Sequence, residues 1–169
     1  MANVVLVNEK DELLGEVAYE QAHKDGLCHR ASVVYLVNSN GEILLQERAN
    51  GGEFDHSSAG HVDPGESYLE AAKRELWEEL GVKGIELKEI GQAKADEPKP
   101  HIKKYYRHQF RIFECMANPG RLEPKEVKSV LWSNPREVWQ DMMQGIPSRK
   151  YCGGFKATLE VWLKAKGLL

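Results

Sequence analysis

GHVDPGESYLEAAKRELWEELGV, residues Gly60–Val82, is the stretch on which the fold turns. Pro64-Gly65 signals a turn. Ser67 followed by Glu70 three residues on fits a capping box, which satisfies the free N–H groups of a helix start. Leu69, Ala72, Leu76 and Leu80 recur at helical spacing and predict one buried face on a helix from about Ser67 to Leu80. Gly81 follows, where a left-handed stop is easiest for glycine. On that helix Glu75, Glu78 and Glu79 stand at i, i+3 and i+4, on one face, and Arg74 can pair with Glu78 at i, i+4. Three carboxylates on one turn repel unless a cation offsets them. Oxygen-only ligands suit a hard divalent ion, Mg²⁺ or Mn²⁺, better than zinc. A solvated acidic face is the ordinary reading of such a cluster, but it leaves Gly60, Glu66, Arg74 and Gly81 without a reason.

Gly60, Glu66, Arg74, Glu75, Glu78, Glu79 and Gly81, with aliphatic Leu76 and Val82, match every defined position of the motif G-x5-E-x7-R-E-U-x-E-E-x-G-U. In this the chain resembles the Nudix family. The resemblance implies an α/β (α+β) fold, an α/β/α sandwich with a central mixed sheet, and hydrolysis of a nucleoside diphosphate linked to another group. It also implies that Glu75, Glu78 and Glu79 hold Mg²⁺ or Mn²⁺, with a backbone carbonyl near Ala59 or Gly60 as a further ligand. Glu78 and Glu79 are then catalytic candidates. Glu126, at the start of an expected strand, is the candidate base outside the box; Glu123 and Glu97 are weaker alternatives.

Cys28-His29-Arg30-Ala31-Ser32 and Ser58-Ala59-Gly60-His61 are similar to the Nudix branch that contains isopentenyl-diphosphate isomerase. That isomerase has a cysteine directly before its Gly-His step and an E-x-E pair on a later strand. Here Ala59 stands at the first place and Tyr106-Arg107-His108 at the second, so the proton machinery of the isomerase is missing. His61, His29 and, after a one-residue deletion, His23 correspond to three histidines of the isomerase's metal site. Without the carboxylates, His29 and His61 are expected to be structural or to contact substrate, with no second ion. On the later strand the even positions are the more apolar and are read as the inward face, and the resemblance to the isomerase aims Tyr106 and His108 at the cleft. Tyr106 would then stack on a base or pack a prenyl-like tail, and His108 would meet a phosphate.

Along the chain, Val4–Val7 and Leu13–Val17 predict an N-terminal hairpin and Tyr19–Lys24 a short helix. This 1–28 extension is expected to pack on a single 29–169 domain carrying the box at 60–82. Ala31–Val37 and Glu42–Glu47 flank the turn Asn38-Ser39-Asn40-Gly41. Strands are expected over Ile85–Ala95, Ile102–Met116 and Val127–Ser133, with a loop at Asp96–Pro100 and helices from Asn134-Pro135 to Met143 and over Phe155–Lys166. Asp55-His56-Ser57-Ser58 is read as lining the mouth of the cleft, and Trp77, Trp132, Trp139 and Trp162 as packing residues.

Composition adds boundaries. The 169 residues carry a net charge of −3, so no global basic field calls for nucleic acid. Lys94, Lys99, His101, Lys103, Lys104 and Arg107 read as a solvated run rather than a phosphate trap. Three cysteines, Cys28, Cys115 and Cys152, show no zinc spacing and read as the reduced thiols of a cytoplasmic protein. No stretch resembles a leader or a membrane span. The expected partner is a small diphosphate or nucleotide-derived substrate, with a homodimer allowed for. Two alternatives to hydrolysis remain, a non-catalytic nucleotide-binding Nudix domain and an isopentenyl-diphosphate isomerase.

Overall fold

Val33-Val34-Tyr35-Leu36 is an unbroken apolar run, which marks a strand covered on both faces rather than one. A computed structural model, describing residues 3–99 and 104–169, makes this run the middle of the sheet. Strand β3 (His29–Val37) lies parallel to β8 (Lys104–Met116) and antiparallel to β6 (Ser58–His61). Strands β1 (Asn3–Val7) and β2 (Leu13–Ala18) form the expected hairpin and join β3 at Leu6 and His29. On the far side, β4 (Ile43–Arg48) pairs with β9 (Val127–Ser133) and with the two-residue β5 (Phe54–Asp55). Strand β7 (Lys88–Lys99) pairs with β8. Among the described residues this is one curled, mixed sheet of nine strands.

Alternation along the strands feeds two cores. Val33, Tyr35, Ile43, Leu45, Phe110 and Ile112 face helices α3 (Pro135–Met142) and α4 (Phe155–Ala165), against Val138, Phe155, Leu159, Trp162 and Leu163. Val34, Leu36, Leu44, Phe113 and Cys115 face α2 (Tyr68–Leu80), against Ala72, Leu76 and Leu80. The result is the α/β/α sandwich. A short helix, α1 (Tyr19–Asp25), ends on left-handed Gly26 and carries His23 inward.

Four expectations need correction. The Asp96–Pro100 loop does not begin at Asp96: β7 continues to Lys99, with Asp96 opposite Arg107 and Pro98 opposite Tyr105. Strand β7 is an edge strand, where proline removes no ladder bond to a second neighbour. Its start also moves, from Ile85 to Lys88. Leu69 is exposed, and Ala71 is the buried residue of that turn. Trp77 is half-exposed, its ring covered by the Lys83 ammonium 4.3 Å from the centroid. The first residues of the expected Ile102–Met116 strand, and His101 and Lys103 of the basic run, lie outside the described residues. Lys94 and Arg107 of that run are engaged by Glu9, Arg107 at 2.6 Å. No described helix is long and apolar enough to cross a membrane.

Candidate active site

Helix α2 starts as its sequence predicts. The Ser67 hydroxyl accepts from Glu70 N and the Glu70 carboxylate accepts from Ser67 N, closing the capping box. The helix stops at Gly81 (φ +64°), where a Cβ would press on the Arg121 backbone at 2.8 Å. Between these ends, Arg74 acts as the clamp of the motif. Its guanidinium donates to Glu66 at 2.8 and 2.9 Å, to Glu75 at 2.6 Å, to Glu78 at 3.3 Å and to the His61 carbonyl at 3.0 Å. Helix α2 is thereby tied to the β6 strand.

Glu75 and Glu79 point under that strand; Glu78 does not. One oxygen each from Glu75, Glu79 and Glu126 lies within 4.8 Å of the others. Glu78 is 53% exposed, and the contact recorded for it is with Arg74. The third acid beside Glu75 and Glu79 is thus the one from β9's entry, brought in because Ala49 N donates to Glu126 O at 2.8 Å. Glu79 is held from two sides, by Gln46 Nε2 at 3.3 Å and by Ala59 N at 3.1 Å. Glu75 passes so close to Gly60 that an added Cβ there would land on its carboxyl group. A glycine at 60 is a steric requirement. Gly60→Ala should therefore push Glu75 aside, lowering stability by roughly 1–3 kcal/mol as overpacking does. Thermal melts and Mg²⁺ titration check this; unchanged ion affinity would show that Glu75 does not need the space.

Burial first, then the neighbouring acids, pushes Glu79 up to about 8 and Glu75 up to about 7, the latter despite Arg74. The donor set therefore fits a hard divalent cation, which would replace the protons these carboxyls otherwise hold. The linkage has a definite sign. Both groups bind protons more tightly folded than unfolded, so their contribution is fully present below the unfolded pKa and lost as pH rises through about 7 to 8. The melting temperature of chelator-treated protein should fall over that window, and Mg²⁺ should restore it. A flat profile would mean these acids ionise freely.

A cleft of about 250 Å³ opens at Ala59 and Gly60, the residues against which Glu79 and Glu75 lie; its wall also includes Tyr19, Arg48, Asp55, His61, Tyr106, His108 and Cys152, and none of the three acids. Tyr106, His108 and His61 thus reach the cleft, while His29 sits fully buried behind them. Asp55, His56, Ser57 and Ser58 do not rim the mouth: all four are buried, and Asp55 and His56 form part of the wall. Ser57 pins the hairpin behind it, donating to Leu44 O at 2.6 Å and accepting from Leu36 N at 2.8 Å.

Two features escaped the sequence reading. Arg48, at the end of β4, brings a cation into the cleft and pairs with Asp55 at 3.0 Å. Asp55 also accepts from His56 Nδ1 at 2.5 Å and from the Cys152 thiol at 2.7 Å, and His56 Nε2 meets the Thr158 hydroxyl at 2.6 Å. The partners come from β5, the 145–154 loop and α4, so no local spacing announces them. The adjacent Asp55-His56 pair was the available signal.

The NUDIX domain family matches residues 27–151. The protein of Escherichia coli (strain K12) named uncharacterized Nudix hydrolase YfcD is 33% identical over 141 residues, covering 80% of this chain and 75% of that one. An isopentenyl-diphosphate Delta-isomerase of Pectobacterium atrosepticum is 41% identical, over only 88 residues and 49% of each chain. The crystal structure of DR0079 from Deinococcus radiodurans shares the fold at a TM-score of 0.70, with 24% identity, covering 94% of this chain and 97% of that one. With the family matched over most of its length and the box helix built as described, the chain belongs to the Nudix family and is a pyrophosphohydrolase of it.

Proposed function

We propose that this chain hydrolyses a phosphoanhydride bond of a nucleoside diphosphate linked to another moiety, or of a similar small diphosphate, with Mg²⁺ or Mn²⁺ held by Glu75, Glu79 and Glu126. The convergence of those three carboxylates, two of them against Ala59 and Gly60 of the cleft wall, carries the reading. When bound, the ion supplies charge neutralisation for the diphosphate and a lowered pKa for water. Positioning does the rest, since phosphoryl transfer asks little covalent help of a protein.

Each neighbouring residue has a task in this scheme. Gln46 and the Ala59 amide orient Glu79; Arg74 and the bare Gly60 orient Glu75. Glu126, exposed at the edge of the group, takes the proton of the attacking water on its carboxylate. Arg48 meets a phosphate oxygen, and Tyr19 and Tyr106 offer flat walls to a base or an apolar tail. Isomerisation would need an acid where Ala59 presents a methyl group.

The test is phosphate release, with coupled phosphatase, from nucleoside diphosphate sugars, dinucleoside polyphosphates, nucleoside triphosphates, coenzymes and prenyl diphosphates. Release with Mg²⁺ or Mn²⁺ that stops on chelation supports the reading and identifies the substrate class. Silence across the panel despite ligand binding would move the protein to the non-catalytic alternative.

A further inference from the structure

Four histidines from four separate elements meet behind the cleft. His23 comes from α1, His29 from the start of β3, His61 from the end of β6 and His108 from β8. The sheet register makes this meeting obligatory: His29 lies opposite His108 on the parallel neighbour, and Ala31 lies opposite His61 on the antiparallel one. The ring centroids are 4.3 to 5.5 Å apart in every pairing. One nitrogen from each ring lies within 4.8 Å of the other three.

The hydrogen bonds decide which way the lone pairs face. His29 Nδ1 sits 2.7 Å from the Leu27 carbonyl, which can only accept, so Nδ1 carries the proton. Its Nε2 is then a bare lone pair, buried, with no hydrogen-bond partner among the described residues. His23 Nδ1 likewise faces a carbonyl, that of Tyr105, at 3.4 Å. A ring that donates its outer N–H to a carbonyl and turns its other nitrogen inward has the arrangement of a metal-ligating histidine. His61 Nε2 and His108 Nε2 are 3.2 Å apart. Two ligands of a tetrahedral ion with metal–nitrogen bonds of roughly 2.0–2.1 Å stand about 3.4 Å apart.

We propose that His23, His29, His61 and His108 form a four-nitrogen site for a borderline divalent transition ion such as Zn²⁺, separate from the carboxylate group on α2. The donor set excludes Mg²⁺ and Ca²⁺, which require oxygen, and favours the ions that imidazole suits. It departs from the expectation that His29 and His61 serve without an ion. That expectation rested on the absence of carboxylates, and His108 supplies the missing ligand from the strand where they were sought. Four neutral ligands leave the full charge of the ion in place. Because His61 and His108 also line the cleft, that charge lies where the anionic part of a substrate would enter. The ion would also tie α1 to the sheet, since His23 is the ligand from that helix.

The inference rests on the donor geometry and not on the hydrolase reading, and its test reads metal rather than turnover. Chelator-stripped protein is titrated with Co²⁺ and followed by its visible d–d bands. Wild-type protein and Glu79→Gln should each bind one equivalent with the spectrum of a tetrahedral nitrogen-ligated ion. His29→Gln and His108→Gln should lose more affinity than the roughly 100-fold that removal of an outer-shell partner costs. No tetrahedral spectrum from wild-type protein, or a spectrum abolished by Glu79→Gln and kept by His29→Gln, overturns the proposal. If the histidine variants fail to fold, X-ray absorption on wild-type protein loaded with Zn²⁺ decides alone. Scattering from four imidazoles supports the site, and an oxygen shell refutes it.

Discussion

Glu79→Gln should lower phosphate release by about 10³-fold while leaving the fold intact. An ion that polarises a phosphoryl oxygen supplies several kcal/mol to the transition state, and each 1.4 kcal/mol or so is tenfold in rate. Glutamine keeps the shape but loses the charge that makes Glu79 a ligand. It also presents an amide NH₂ where the carboxylate accepts from both Gln46 and Ala59, so one of those bonds must go. That loss is worth about 1 kcal/mol. The missing buried charge offsets it, because burial already pushes Glu79 up to about 8. Steady-state kinetics, Mg²⁺ calorimetry and a thermal melt separate the effects. A variant that melts normally, binds Mg²⁺ normally and turns over normally would remove Glu79 from the metal site.

Asp55→Ala should be the most destabilising of the changes considered, by roughly 3–5 kcal/mol, because it strands the buried ring and amide donors of His56 at about 1–3 kcal/mol each. Asp55 is 2% exposed and takes donors from His56 twice, from Arg48 and from Cys152. Burial alone would raise its pKa, but these donors outweigh it and hold the carboxyl well below the usual range. Its contribution is therefore complete above the unfolded carboxylate pKa of about 3.9 and lost only as pH falls below that. Without it, the His56 ring and amide lose their acceptor in a dry site, while half-exposed Arg48 can turn to water. Asp55→Asn retains one acceptor oxygen and should cost less. At about 2–4 °C per kcal/mol for a chain of this size, the alanine variant should melt some 10 °C lower. A shift under 2 °C would mean the network is incidental.

Legibility followed the range of each interaction. The box helix, with Ser67 as N-cap and Gly81 as stop, could be read because capping, helical period and turn chemistry act within four or five residues. So could the β3–β4 turn, β9 from Val127 to Ser133, and the inward even face of β8. The two-residue β5 and the polar β6 could not. Ser58-Ala59-Gly60-His61 shows no strand pattern, and it is a strand because β3 lies alongside it.

The site divided in the same way. From its own residues and their spacing, this chain determined a two-faced helix carrying Glu75, Glu78 and Glu79 on one turn, and with it the Nudix family. Only the tertiary structure decided which acids gather: Glu78 turns out to Arg74, and Glu126 comes in from 47 residues beyond Glu79. Only the sheet register brought His108 against His29 and His61, and only chain packing joined Asp55 to Cys152 and His56 to Thr158. The reason is physical. Helical spacing places a side chain on a face, whereas a ligand set or a buried ion pair needs atoms within a few ångströms from elements that meet only when the sheet closes.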